Sequence, residues 1–533
     1  MNPDGTVTLG GVGLVATVGL PALGALLLAL FPARADRAAR ITGTAFAAAT
    51  LVVAALLAVG ANTGSGGWFG YRPQTAGPPG IRPWHDLDLT WVPGLDLRFH
   101  LGVDGVSYPL VVLTALLTLL CCGYTLWRVP TPGRGRTLVA LLLVVEVGIL
   151  GTFLALDLVL FFLFFEVVLL PMYAIIAIWG GEGPEMPRRY PPYGSPVRDR
   201  ARHAARKFAL YTLFGSVLLL VGVLTVTTAA GTADLVTLTG GGGLSRGTQL
   251  AAFILLAIAF AVKSPLWPLH SWLPDAHTQA PTVGSVILAG VLLKMGTYGL
   301  IRVAVGVAPE GARWAAPVLG ILAVAAIIVG SLVCLAQSEL KRLIAYSSVG
   351  HMGFVLLGIA TLTATGIQAA LIGNIAHGVI TGLLFFLAGA IKDRTHTGAL
   401  TELGGLREST PRLAGLLGFA AIASLGLPGL AGFWGEAFAV VAAWQRGGPL
   451  WTTLAVLAAF GGALTAAYLL RLLRRVSHGP ASPAVLTLTP GLSGAELAAW
   501  APLVLLALAI GLAPTLVLGV AETPVGILLE AIR

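Results

Sequence analysis

Charge is scarce in this 533-residue chain: Asp, Glu, Lys and Arg together make up 10% of it, against roughly a quarter in ordinary globular domains. With 56% hydrophobic residues and a mean hydropathy of +0.89, that scarcity excludes a water-soluble or disordered chain. Cysteine is nearly absent. The three present, Cys121, Cys122 and Cys334, lie in apolar stretches without CxxC spacing, which excludes an iron–sulfur site and a disulfide framework and leaves them as inert packing residues. No basic segment precedes the first apolar run in MNPDGTVTLGG, so the first span is expected to be retained rather than cleaved as a signal peptide. A nucleotide-binding loop, a flavin motif and a metal-ligand cluster are missing as well.

What the chain has instead is length in its apolar runs. Stretches of about 18 or more residues give about 14 candidate spans: roughly 10–32, 41–61, 107–127, 137–156, 158–180, 208–230, 250–270, 282–302, 314–335, 343–362, 367–391, 413–444, 451–470 and 499–520. The fold class is an all-α polytopic membrane protein. The net charge of +9 follows from topology rather than from an acidic partner. With the N-terminus outside, about 22 of the 32 basic residues fall in inner connections, among them Arg34/Arg37/Arg40, Arg128/Arg134/Arg136, the Arg188–Lys207 stretch, Lys341/Arg342 and Arg471/Arg474/Arg475, as the positive-inside rule requires. Both termini are then expected outside, in a bacterial cytoplasmic (inner) membrane. The polar interruptions at roughly 62–106 and 181–206 are too short for a separate catalytic domain.

Two spans are broken in similar ways. One carries Lys263-Ser264-Pro265-Leu266-Trp267-Pro268 and the other Gly426-Leu427-Pro428-Gly429-Leu430-Ala431-Gly432. Proline removes a helix hydrogen bond and glycine lowers helix stability, and unwinding at membrane depth is tolerated only where protein or a hydrated cavity satisfies the backbone. They are the seventh and twelfth spans, five apart, which points to two inverted five-helix repeats with a site near the midplane. The expected organisation is helices 1–3 with an external loop in 1–136, a first repeat in 137–302 (helices 4–8), a second in 303–475 (helices 9–13) and a last helix in 476–533.

Seven ionisable residues fall inside apolar stretches: Glu146, Glu166, Lys263, Lys294, His351, His377 and Glu436. A charge at the bilayer centre costs about 3 kcal/mol or more, so such groups normally face a protein or water-filled interior. Glu166 follows Asp157 by nine residues, about 14 Å of helix and close to half of a roughly 30 Å hydrocarbon core. Lys263 is its natural counter-ion, since pairing relieves the desolvation of both. Lys294 has no evident local partner, and a buried lysine without a counter-charge exchanges its proton near neutral pH. His351 and His377 lie on consecutive spans, and Glu436 follows the second break by four residues. Glu146 and Asp157 also read as helix-end or packing carboxylates. Together these groups are the material of a proton path.

At these residues the chain resembles the antiporter-like membrane subunits of respiratory complex I, the proton-translocating NADH:quinone oxidoreductase. The resemblance rests on GVDGVSYPLVVLTALLTLL (Gly102 to Leu120), LVLFFLFFEVVLLPMYAIIAIWGG (Leu158 to Gly181), the segment Phe260 to Leu300 that contains KSPLWPLHSWLPDAHTQAP, LKRLIAYSSVGHMGF (Leu340 to Phe354) and GLPGLAGFWGE (Gly426 to Glu436). Glutamate at position 436, where other members have lysine, points to the M type, as does the lack of a long lateral extension. The resemblance implies that Glu166 and Lys263 form a switching pair on the cytoplasmic half-channel. It further implies that Lys294 is the central relay, that His351 and His377 lead towards Glu436 on the periplasmic side, and that Glu146 has a lesser role. It implies no cofactor in this chain, with FMN, iron–sulfur clusters and the quinone site on other subunits. The implied partners are the other complex I membrane subunits, especially the L and N types. An M-like subunit of a membrane-bound hydrogenase, a cation/proton antiporter and a purely structural subunit are the alternatives.

Overall fold

The computed structural model describes residues 8–59, 80–181, 196–486, 488 and 491–533. In chain order its principal elements are α1 (Leu9–Leu30), α2 (Asp36–Leu56), strands β1 (His85–Val92) and β2 (Leu97–Val103), α3 (Tyr108–Thr125), α4 (Gly135–Leu154), α5 (Leu158–Trp179), α6 (Pro196–Ala230), α7 (Arg246–Lys263), α8 (Trp272–Gln279) and α9 (Thr282–Val305). There follow α10 (Pro309–Ala336), α11 (Leu340–Ala360), α12 (Ala364–Thr395), α13 (Pro411–Ser424), α14 (Ala431–Arg446), α15 (Gly448–Ser477), α16 (Gly494–Leu512) and α17 (Thr515–Ala531).

Among the described residues thirteen helices are long and apolar enough to cross a membrane. The expected twelfth span, 413–444, is the difference. It is the broken pair α13 and α14, parted by residues 425–430, where Gly426 and Gly429 take φ of +82° and +92°, conformations open to glycine at little cost. The end of α14 reaches the α11–α12 turn, where Arg446 Nη1 donates to Ala360 O at 2.8 Å. The seventh span is also shorter than expected. Its helix stops at Lys263, Ser264 forms the cap, and the chain resumes as α8 after the prolines.

Burial sorts the helices into shells. The most apolar window of α9 is 100% buried and those of α11 and α12 are 94% buried, whereas that of α2 is 28% buried. Helices buried all round form the centre, and the others turn an apolar face to lipid. The three free cysteines are buried in this packing.

Two features depart from an all-α expectation of one helix after 476. Strands β1 and β2 pair antiparallel from His85↔Val103 to Val92↔Leu97, with an irregularity between Thr90 and Val92. Alternation in HDLDLTWV puts Leu87 inward and leaves Asp86 exposed, the period of a half-buried strand. The C-terminal segment is two helices, and α17 lies along the same face as this hairpin. Arg313 of α10 donates to Ile532 O, and Gly105, just after β2, has no room for a side chain against the Val520 backbone. The start of α1 is on that face too, because Gly10 abuts the His85 ring.

On the same face His100 ties three connections together. It is buried and bonds Asp234 at 2.9 Å and Asp86 at 2.7 Å. Its own backbone O accepts from Leu156 N at 2.9 Å. Asp157 beside it accepts from Val159 N and Leu160 N, capping α5; it is the helix-end carboxylate of the two alternatives.

Candidate functional site

Lys294 stands at the inner end of a line of polar side chains. Helix α9 is π-helical at Leu288–Leu292 and again at Leu300–Val305, so its carbonyls on either side of the lysine are out of α-register. The lysine Nζ donates to Ala289 O at 2.5 Å and to His377 Nδ1 at 2.6 Å. Glycine makes that contact possible. A Cβ on Gly378 would fall 2.6 Å from Gly290 O, and one on Gly290 would fall 2.4 Å from Leu117. Gly378 thus sets the close approach of α12 to α9 that brings its neighbour His377 to Lys294, while Gly290 makes room for Leu117 of α3.

From His377 the line continues to His351 on α11, with ring centroids 5.9 Å apart. Both rings line a cavity of about 30 Å³ together with Ser424, Thr381 and Glu436, enough for a water molecule among polar partners. His351 Nδ1 lies 2.6 Å from Glu436 Oε1, and its Nε2 lies 2.9 Å from Ser424 Oγ. Glycine again fixes the approach, because a Cβ on Gly435 would fall 2.5 Å from Gly373 Cα and so α14 rests directly on α12. The side chain of Glu436 is 16% exposed, against 0% for Lys294. The line therefore runs from a closed interior towards the unwound stretch at Gly426. In space the order is Lys294, His377, His351, Glu436.

The remaining expected residues are near this line but not bonded into it. Lys263 is 2% exposed, and its Nζ has no hydrogen-bond partner. It stands 4.6 Å from the centroid of the Phe165 ring, a cation–π contact that offsets part of its desolvation. Glu166, the residue after Phe165, is partly buried with Oε1 unbonded, and no ion pair of 4.0 Å or less joins it to Lys263 among the described residues. Lys263 Cβ does lie against Gly296, two residues from Lys294. Glu146 is fully buried with both carboxyl oxygens unbonded. Buried polar groups are rarely left unpartnered, which sets these three apart from the bonded line. Arg188 and Arg189 of the basic stretch lie outside the described residues. Its later part is fixed to α8 by Lys207 Nζ, 2.7 Å from Asp275.

Several site residues escape a reading based on charge alone. Ser424 and the Asn374–Thr297 pair, with Thr297 Oγ1 donating to Asn374 Oδ1 at 3.0 Å, are uncharged. His277 is fully buried, stacks on Phe385 at 4.5 Å, and has neither ring nitrogen bonded. The recurrence of histidine at both ends of HSWLPDAH is the signal that could have flagged it. A second signal was the glycine beside three members of the line: Gly350-His351, His377-Gly378 and Gly435-Glu436.

The family described as NADH:quinone oxidoreductase/Mrp antiporter, transmembrane, matches residues 155–464, which hold the whole line. The chain belongs to that family. Its M type is equally plain: "NADH-quinone oxidoreductase subunit M" of Rhodobacter capsulatus is 42% identical over 442 residues, 81% of each chain. "NAD(P)H-quinone oxidoreductase chain 4 3" of Trichormus variabilis is 37% identical over 513 residues, 95% of this chain and 89% of that one. Among solved structures, a chain of respiratory complex I from Thermus thermophilus superposes with a TM-score of 0.81 at 28% identity, covering 98% of this chain and 100% of its own. The Mrp complex of a Dietzia species shares the fold at 21% identity and a TM-score of 0.79. This is a multi-pass membrane protein of the complex I antiporter-like type. Among its described residues no group of His, Cys, Asp or Glu could hold a metal ion.

Proposed function

We propose that this chain is the M-type subunit that carries protons across the membrane within NADH:quinone oxidoreductase, driven by redox chemistry on other subunits. The supporting observation is the bonded line Lys294–His377–(water-sized cavity)–His351–Glu436. Each member can exchange a proton, and each lies within hydrogen-bond reach of the next or of one intervening water. Lys263 and Glu166 supply the line from the side of the Arg188–Lys207 stretch, the cytoplasmic side in this orientation, and Glu146 has a lesser part. The open geometry around Phe165 is one state of that pair, in which the proton on Lys263 is free to move towards Lys294. Two repeats, 137–302 and 303–475, each contribute one broken helix, and both termini lie outside. FMN, iron–sulfur clusters and quinone belong to other subunits, and the membrane neighbours are the L-type and N-type subunits. A hydrogenase-type complex is disfavoured by relatives that are named quinone oxidoreductases at 37–43% identity.

Glu436→Gln tests the line. It preserves shape and the His351 hydrogen bond but removes the exchangeable proton, so transfer at this step slows by about 100-fold or more. The measurement is NADH-driven proton pumping in membrane vesicles, normalised to assembled complex. Full pumping would show that Glu436 does not titrate in the cycle. Glu436→Lys, which imitates the paralogues, should pump less than wild type because a cation there repels the proton arriving through His377.

A further inference from the structure

Helix α6 carries two kinds of residue on one face. Near its start Arg200, His203 and Arg206 are exposed, and along the same side follow Leu210, Phe214, Val217 and Val221, which fall from 67% to 44% exposed. Steps of three, four and seven residues keep to a single helix face. From Leu210 to Val221 is about 16 Å of helix, the depth of one leaflet of a roughly 30 Å hydrocarbon core. Arg206, about 6 Å before Leu210, is then at the level of the lipid headgroups.

The basic end also borders a cleft. Arg200, His203 and Arg206 line a space of about 540 Å³ together with Asp199, Asp275 of α8 and Arg342 of α11. Asp275 is already matched, by Lys207 Nζ at 2.7 Å and Arg342 Nη1 at 3.5 Å. With Lys207 counted, four Arg and Lys side chains face two carboxylates, a surplus of two positive charges without His203. Among the described residues no hydrogen bond or ion pair commits the guanidinium of Arg200 or Arg206.

We propose that this cleft and the apolar face below it bind an anionic phospholipid of the adjoining leaflet, the inner one in the orientation proposed above. Its phosphodiester lies among Arg200, Arg206 and Arg342, whose planar guanidinium groups donate paired N–H bonds to phosphate oxygens. An acyl chain runs over Leu210, Phe214, Val217 and Val221. The charge surplus at headgroup level selects an anionic headgroup, and the bare apolar side chains one leaflet deep match its tail. A zwitterionic lipid satisfies only the apolar half. None of these residues belongs to the line from Lys294 to Glu436.

The test places the assembled complex in phosphatidylethanolamine vesicles with a small fraction of phosphatidylglycerol bearing a photoactivatable acyl chain, or of phosphatidylcholine bearing the same chain. After illumination, peptides covering 208–224 should carry about 10-fold more phosphatidylglycerol than phosphatidylcholine label, since each basic residue near an anionic headgroup adds about a factor of 5 in affinity. Arg200→Gln with Arg206→Gln should lower that ratio several-fold, and Arg200→Lys with Arg206→Lys should keep most of it. Excess inorganic phosphate should leave the label in place. The two-probe comparison needs no variant, and Arg206→Gln alone serves where the double change assembles poorly. Equal labelling by the two probes would reduce the face to ordinary boundary lipid and overturn the proposal. So would an unchanged ratio in the Gln variants, displacement by inorganic phosphate, or an unlabelled 208–224 beside labelled helices, which is the mark of a neighbouring subunit on this face.

Discussion

At the scale of single residues, the histidines show how much the surroundings decide. His377 and His351 are bonded within the apolar interior to a lysine and a carboxylate, whereas His100 sits outside the spans between two carboxylates. Burial by itself lowers the pKa of His100. The hydrogen bonds and charges of Asp234 and Asp86 outweigh it and raise the value to about 9, while the same contact lowers that of Asp234. A raised histidine contributes stability in full below its unfolded pKa of about 6.5, and that contribution is lost as pH rises through about 9. The hairpin should therefore be firmly held at pH 6 to 7 and loosen towards pH 10, losing up to about 3 kcal/mol. Hydrogen exchange of 85–103 in the purified complex would show this, and His100→Gln should flatten the pH dependence. Pairing can be read only where two sequence-distant residues meet, as 100 and 234 do. A lone histidine in the sequence carried no sign of its partner.

At the scale of elements, breaks and glycines do what the charges alone cannot. The Pro and Gly runs after 263 and 425 interrupt helices as their composition requires. The π-helical turns either side of Lys294 had no such signature, because a one-residue register slip depends on how α9 packs. Gly378→Ala should force α9 and α12 apart, since its Cβ would meet Gly290 O at 2.6 Å and Leu113 at 2.6 Å. Such overpacking costs about 1–3 kcal/mol and stretches the Lys294–His377 contact, so both assembled complex and pumping per complex should fall. Gly382→Ala, one turn along with nothing nearer than 3.5 Å, is the control and should be neutral or slightly stabilising. Equal behaviour of the two variants would detach the glycine contact from the relay.

For the whole molecule, the arrangement of faces is the testable quantity. The start of α1, the hairpin and α17 share one face, and the Lys207–Asp275 contact marks the other. In the orientation proposed above from the basic-residue asymmetry, the latter is the inner face. All three native cysteines are buried, so single introduced cysteines can be labelled cleanly. Arg200→Cys should react only from the cytoplasmic side and Thr90→Cys only from the outside; both positions are exposed. Reaction of Arg200→Cys from outside would invert the orientation and with it the direction assigned to the line from Lys263 to Glu436.

The membrane class, thirteen of the expected spans and the interruptions after Lys263 and Ser424 were written in the sequence. Hydrocarbon tolerates neither stray charge nor unsatisfied backbone, and that intolerance leaves a one-dimensional record. The order of the polar line was not recorded, because Lys294 meets His377 and His351 meets Glu436 across separations of 83 and 85 residues. Nor was the position of Lys263, whose Nζ stands over the Phe165 ring without a hydrogen bond to Glu166. The hairpin was hidden for a different reason: two short alternating strands in a Gly- and Pro-rich connection gain their stability only from the helix ends beneath them. Contacts between distant segments are set by how closely backbones approach, and only the folded packing of glycine on glycine decided that distance.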